Sequence, residues 1–168
     1  EPNPSAETVH QGLEYLQAFQ AEVVLAVGGG SPIDAAKAIA AMATNSGHIL
    51  DYEGVGKIVN LPLPLVAIPT TSGTGSEVTA ATVVTNKKTS FKAGIISPYL
   101  YPKLALLDPL LTIQLPPAVT AATGMDALTH AIESYTSKLA NPVSRALAIE
   151  AIKVIGENIR KAYFVGTD

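Results

Sequence analysis

The sequence contains no cysteine. Disulfides, cysteine-ligated zinc, iron–sulfur clusters and thiol catalysis are therefore excluded. Charge is also scarce: Asp, Glu, Lys and Arg make up 15% of the 168 residues, against roughly 25% in an ordinary soluble protein. With 11 basic and 14 acidic residues the net charge is −3, and no basic cluster of the kind a nucleic-acid binder needs is present. No apolar run is long enough to cross a bilayer, which takes about 20 residues. The longest, Leu61 to Pro69, is interrupted by prolines. No internal repeat is visible, and neither an initiator Met nor a basic leader opens the chain. The opening Glu1-Pro2-Asn3-Pro4-Ser5 reads as part of a longer protein. What is abundant is apolar surface, 48% of residues with a mean hydropathy of +0.30. That suffices to offset ordering entropy and excludes a disordered chain. Low charge on so apolar a chain suggests surface that belongs against a partner or further sequence. A soluble, cytoplasmic enzyme-like segment is expected.

Local patterns predict an α/β part followed by a helical part. Ser5 is placed to cap a helix running to about Gln20, with Val9, Leu13, Leu16 and Phe19 on one side. Val23 to Val27 is a short β-branched run, apolar on both faces, that fits a buried parallel strand. Gly28-Gly29-Gly30 ends it. Ser31 is then the expected N-cap of an Ala-rich helix to about Thr44, with Pro32 at its first position and Asp34 at its third. Residues 45–64 read as irregular. Further strands are expected at Leu65–Ile68, at 80–85 and 91–96 around Asn86-Lys87-Lys88, and at Ala105–Leu107. Two helices then fill 117–137 and 142–162, the second with Leu147, Ala148, Ala151, Ile152, Ile155 and Ile159 on one face. The order strand, helix, strand implies a largely parallel sheet. The domain boundary is expected near residue 115, dividing 1–115 from 116–168.

Chemistry could reside in three places. The strand–GGGSP–helix junction offers close backbone approach and free helix N–H groups, which hold a phosphate without a basic side chain. It reads equally well as a capped turn, and it lacks the G-x-G-x-x-G spacing. The loop TTSGTGSE, at the carboxyl end of a strand, is rich in hydroxyls and glycine amides suited to phosphate, ribose or an amide. It is not a Walker A loop, and a plain surface loop is its other reading. Third, Asp126 and His130 stand at i, i+4 and would present an oxygen and a nitrogen to one divalent metal, or simply to each other. Two donors are fewer than the three a catalytic site takes from protein. Glu133 reads as a helix charge, His10 and His48 as structural or solvated, and Lys92 as an anion contact or a snorkelling side chain. No nucleophile elbow is present.

Taken in order, EPNP, GGGSPIDAAKAIA, AIPTTSGTGSEVT, LLDP and GMDALTHAIESY resemble the iron-containing (group III) alcohol dehydrogenase family over essentially the whole chain, the last block being the most specific. The resemblance implies part of a Rossmann-like dinucleotide-binding domain followed by the start of an all-helical domain, a dehydroquinate synthase-like architecture. It implies that Gly29, Gly30 and Ser31 receive a pyrophosphate, with Asp34 in the adjoining turn. Thr70, Thr71, Thr74 and Thr79 would line the cofactor, and Lys92 would reach its ribose region. Asp126 and His130 match the family's first two metal ligands; two further histidines of the family come from later helices. The cofactor implied is NAD or NADP, NAD being favoured, with Fe2+ as metal and Zn2+ the alternative. The reaction implied is hydride transfer between a small-molecule alcohol and an aldehyde or ketone, the metal polarising the oxygen. A homo-oligomer without nucleic-acid or membrane partners is expected. A zinc glycerol dehydrogenase-like or maleylacetate reductase-like relative, or a non-catalytic truncated product, are the other readings.

Overall fold

A computed structural model of the protein describes residues 3–166. Glu1 and Pro2 of the EPNP block lie outside them. The chain forms two compact units, one comprising Glu1–Thr70 and Ser76–Asp108, the other Thr71–Gly75 and Pro109–Asp168.

The first unit is α/β. Helix α1 spans Ala6–Phe19, and the fully buried Ser5 caps it by accepting from the Thr8 N–H. Val9 is buried and Leu13 packs against the same core. Phe19, expected on that face, is exposed instead. It closes the last turn, after which Gln20 turns the chain through a left-handed conformation. Strand β1 (Val24–Gly28) pairs parallel with β3 (Leu65–Pro69). Strand β3 pairs in turn with β6 (Leu104–Ala105), one residue earlier than expected.

Helix α2 (Gly30–Met42) covers one face of that sheet. Ala26, Leu65 and Ala67 meet Ile33 and Ala36 there, small side chains allowing close approach. The expectation of a strand buried on both faces is corrected: Leu25 and Val27 point to the uncovered face and are exposed. The other side of α2 joins α1 and a second sheet, in which the hairpin β4 (Ala81–Asn86) and β5 (Phe91–Ile96) is antiparallel. A short strand β2 (Gly54–Val55) lies parallel to β5.

The segment 45–64 is more ordered than its composition suggests. It holds a 3-10 turn at Ile49–Tyr52 and β2. The buried Asn45 side chain organises it, donating to the Ala41 and Asn60 carbonyls and accepting from the Val59 and Asn60 N–H groups.

The second unit packs α3 (Pro117–Thr136) against α4 (Pro142–Phe164). A Cβ on Gly124 would stand 2.9 Å from Ile159 Cδ1, so glycine permits the close approach of the two helices. Ala148 is buried, and Ala151, Ile152, Ile155 and Ile159 are half-buried along the expected stripe. Leu147, assigned to the same stripe, is exposed. The neighbouring Ala148 takes the inward position in that turn. Thr71–Gly75 belongs with these helices: a Cβ on Gly73 would lie 2.7 Å from the Thr123 carbonyl oxygen, so the loop backbone rests on α3.

Candidate functional site

The glycine junction is built on geometry that only Gly28 supplies. Its φ is +151°, and a Cβ there would sit 2.7 Å from Pro32 Cγ. The turn therefore excludes side chains on two counts, backbone conformation and space. The carbonyl of Gly28 accepts from the Thr70 N–H at 3.0 Å, which ties the carboxyl ends of β1 and β3 together.

The helix begins earlier than expected. Gly29, in an extended conformation, is the N-cap of α2, with no side-chain cap, and the first intrahelical bond runs from the Ile33 N–H to the Gly29 carbonyl at 3.3 Å. Ser31 is thus inside the first turn and does not cap it. Its hydroxyl accepts from the Asn3 N–H. Pro32 falls within the same turn, where a missing N–H costs nothing because no carbonyl stands opposite it. The Gly30 and Ser31 amides therefore lie at a helix N-terminus with no capping side chain, which suits an anionic group.

Asp34 is correspondingly displaced into the second turn. Its carboxylate does not serve the helix terminus. One oxygen accepts from Ser76 Oγ at 3.0 Å and the other from the Val83 N–H at 3.1 Å. Burial pushes this carboxyl above its ordinary range, an effect opposed by those two hydrogen bonds and by the charge of Lys37.

One turn on, Lys37 is 1% exposed. Its Nζ donates to the Thr79 carbonyl at 2.7 Å, Thr79 Oγ1 at 3.0 Å and the Ala81 carbonyl at 2.8 Å. Burial lowers the Lys37 pKa to about 8 against the pull of Asp34 and Glu77. Sequence reasoning passes over this residue. The available signal is a lysine in an Ala-rich helix whose neighbours one turn away, Asp34 apart, are the apolar Ile33, Ala40 and Ala41, which leaves little solvated face to carry it.

Of the other expected cofactor residues, Thr70 is half-buried at the end of β3. The Thr79 hydroxyl is engaged by Lys37. Thr71 and Thr74 group with the helical unit. Lys92 is exposed on β5, in register with Thr85.

In the helical unit, Asp126 Oδ1 and His130 Nε2 stand 3.9 Å apart on α3, each side chain about half exposed (43% and 52%). Both donors are accessible and adjacent, as one oxygen and one nitrogen ligand of a divalent ion would be. Among the described residues they gather no third His, Asp or Glu. His10 and His48 lie elsewhere, their rings 4.5 Å apart. His48 Nδ1 accepts from the Leu50 N–H, and burial, then the neighbouring His48, lowers the His10 pKa.

Comparison with known proteins gives these features a context. The family model for iron-containing alcohol dehydrogenase matches residues 1–109, and that for the family's C-terminal part matches 120–168. The chain belongs to the iron-containing alcohol dehydrogenase family. It is 47% identical over 168 residues to alcohol dehydrogenase 4 of Saccharomyces cerevisiae, covering all of this chain and 44% of that one. To 1,3-propanediol dehydrogenase of Citrobacter freundii it is 46% identical, covering 43% of that protein. A crystal structure of 1,3-propanediol oxidoreductase superposes with a TM-score of 0.98 at 46% identity, covering the whole of this chain and 44% of that one. Sulfoacetaldehyde reductase from Bifidobacterium kashiwanohense, solved with NAD+, gives 0.94 at 40% identity, covering 100% and 45% respectively. The chain thus spans less than half the length of these relatives. The family is one of oxidoreductases, and its fold, a Rossmann-like part followed by helices, is the one found in this chain.

Proposed function

We propose that this chain contributes the pyrophosphate-holding turn and half of the metal-ligand set of an NAD(P)-linked dehydrogenase that interconverts a small alcohol and its aldehyde or ketone. The observation that carries this reading is the start of α2 behind Gly28, which has no capping side chain, in a chain that matches the family models over 1–109 and 120–168. The Gly30 and Ser31 amides, aided by the helix dipole, receive the pyrophosphate, and no basic side chain is needed. Gly28 makes the tight turn that leads into them, and Thr70 lines the adjoining strand end.

The sulfoacetaldehyde reductase relative was crystallised in complex with NAD+, and a relative from Bacillus methanolicus is an NAD-dependent methanol dehydrogenase. These favour NAD as the cofactor here. Asp126 and His130 fit a divalent ion as an oxygen and a nitrogen donor, with iron favoured by the family and zinc as the alternative. When bound, the nicotinamide exchanges the hydride and the metal polarises the substrate oxygen as a Lewis acid. This chain's own part is to hold and orient: amides on the phosphates, carboxylate and imidazole on the metal. A homo-oligomer in the cytoplasm completes the reading.

The test is NAD+ binding by calorimetry together with anaerobic Fe2+ binding, each on this chain and on variants. Ser31→Pro removes one phosphate-facing amide at a first-turn position and should weaken NAD+ about tenfold, equivalent to about 1.4 kcal/mol. Asp126→Ala should abolish Fe2+ binding and leave NAD+ binding intact. NAD+ affinity indifferent to Ser31→Pro would defeat the pyrophosphate assignment. Alcohol oxidation by this chain that vanishes in Asp126→Ala would show that the remaining ligands are supplied by another copy.

A further inference from the structure

Resting on the dinucleotide reading, we propose that Lys37 is a positioning residue: with Asp34 it clips the Ser76–Val83 segment to the first turns of α2, and so fixes the wall beside the phosphate-holding turn. The clip is complete in its chemistry. An ammonium has three N–H donors, and Lys37 Nζ has three oxygen partners, at 2.7, 3.0 and 2.8 Å, all on Thr79 and Ala81. Three residues earlier on the same helix, Asp34 uses both carboxylate oxygens on Ser76 and Val83, and its backbone carbonyl accepts from Thr82 Oγ1 at 2.8 Å. Ser76, Thr79, Ala81, Thr82 and Val83 are therefore all attached to a single turn of helix. The helix so gripped is the one whose N-terminus is capped by Gly29.

Stability alone does not account for a lysine here. Burying an ammonium carries a desolvation cost, and an apolar side chain of similar length would fill the space without it. What methionine cannot do is select one backbone path for the segment. Three carbonyl and hydroxyl oxygens converging on Nζ define that path, because any other leaves buried acceptors unpaired.

The experiment compares the unmodified chain with Lys37→Met and with Asn45→Ala. The latter removes a buried hydrogen-bonding side chain just beyond the far end of the same helix and serves as a control for lost stability. Amide exchange, NAD+ binding and melting temperature are measured on each. Lys37→Met should speed exchange at Ser76–Val83 by about tenfold or more with little change in β1 and β3. It should weaken NAD+ binding by about tenfold, well beyond the effect of Asn45→Ala. Unchanged exchange in the segment overturns the proposal, as does an equal loss of NAD+ affinity in Asn45→Ala at equal melting temperature. If Lys37→Met does not fold, Ser76→Ala, which removes the hydroxyl that donates to Asp34, is read by the same criteria. Failure of the unmodified chain to bind NAD+ defeats the dinucleotide reading and the cofactor-positioning role with it. Normal binding with unaltered exchange defeats the proposal alone.

Discussion

Lys37 gives the fold a pH dependence of definite sign. Its pKa falls from the ordinary 10.5 to about 8 in the folded chain. Between those values the unfolded chain carries more protons on this residue than the folded one, so stability rises with pH across that interval. Full development would be worth at most on the order of 3 kcal/mol. The urea midpoint should therefore rise more, or fall less, from pH 8 to pH 10 in the unmodified chain than in Lys37→Met. A flat difference between the two would show that the buried amine keeps an ordinary pKa. Residues of this kind mark where sequence reading stops. Asp126 and His130 are legible because helical spacing alone brings them together. The partners of Asp34 and Lys37 lie more than forty positions away, and no local pattern announces them.

Secondary-structure elements are far more legible than their partners. The Ser5 cap, the 81–96 hairpin and both C-terminal helices follow from capping residues, alternation and Asn-Pro punctuation. The start of α2 differs from the expected one because Ser31 has the chemistry of a cap, while the positive-φ turn at Gly28 sends the chain into the helix two residues sooner, with Gly29 as an extended N-cap that makes no side-chain bond. At Asn141 the rule holds. Its Oδ1 accepts from the Val143 and Ser144 N–H groups at 2.9 and 3.0 Å, and Ser144 Oγ accepts from the Asn141 N–H at 2.9 Å. Asn141→Ala should cost about 1 kcal/mol. The loss should appear as faster exchange in the first turn of α4, with α1 unaffected; no difference there would mean that water replaces the cap.

For the whole molecule, the low charge of the sequence acquires a location. Leu25, Val27 and Leu104 are exposed on one face of the β1–β3–β6 sheet, with half-buried Val66 and Ile68 between them in register. Such a patch should bind a hydrophobic dye, and Val27→Ser should reduce the fluorescence without lowering the melting temperature by more than a few degrees. Undiminished dye signal would place the patch elsewhere. The sequence pattern identifies these residues as apolar strand positions. It cannot say that only one face will be covered, because an apolar run looks the same whichever side a helix takes.

The grouping of Thr71–Gly75 with the helical unit bears on how the molecule can be divided. The chain passes between units after Thr70, after Gly75 and after Asp108. A gene cut at Asp108 would not yield two independent modules. The downstream product would lack the five-residue segment whose Gly73 rests on α3 at Thr123, and the upstream product would display that segment without its helix. Severing the chain once therefore damages both halves, and recombination between family members should succeed more often when these five residues and α3 are inherited from the same parent.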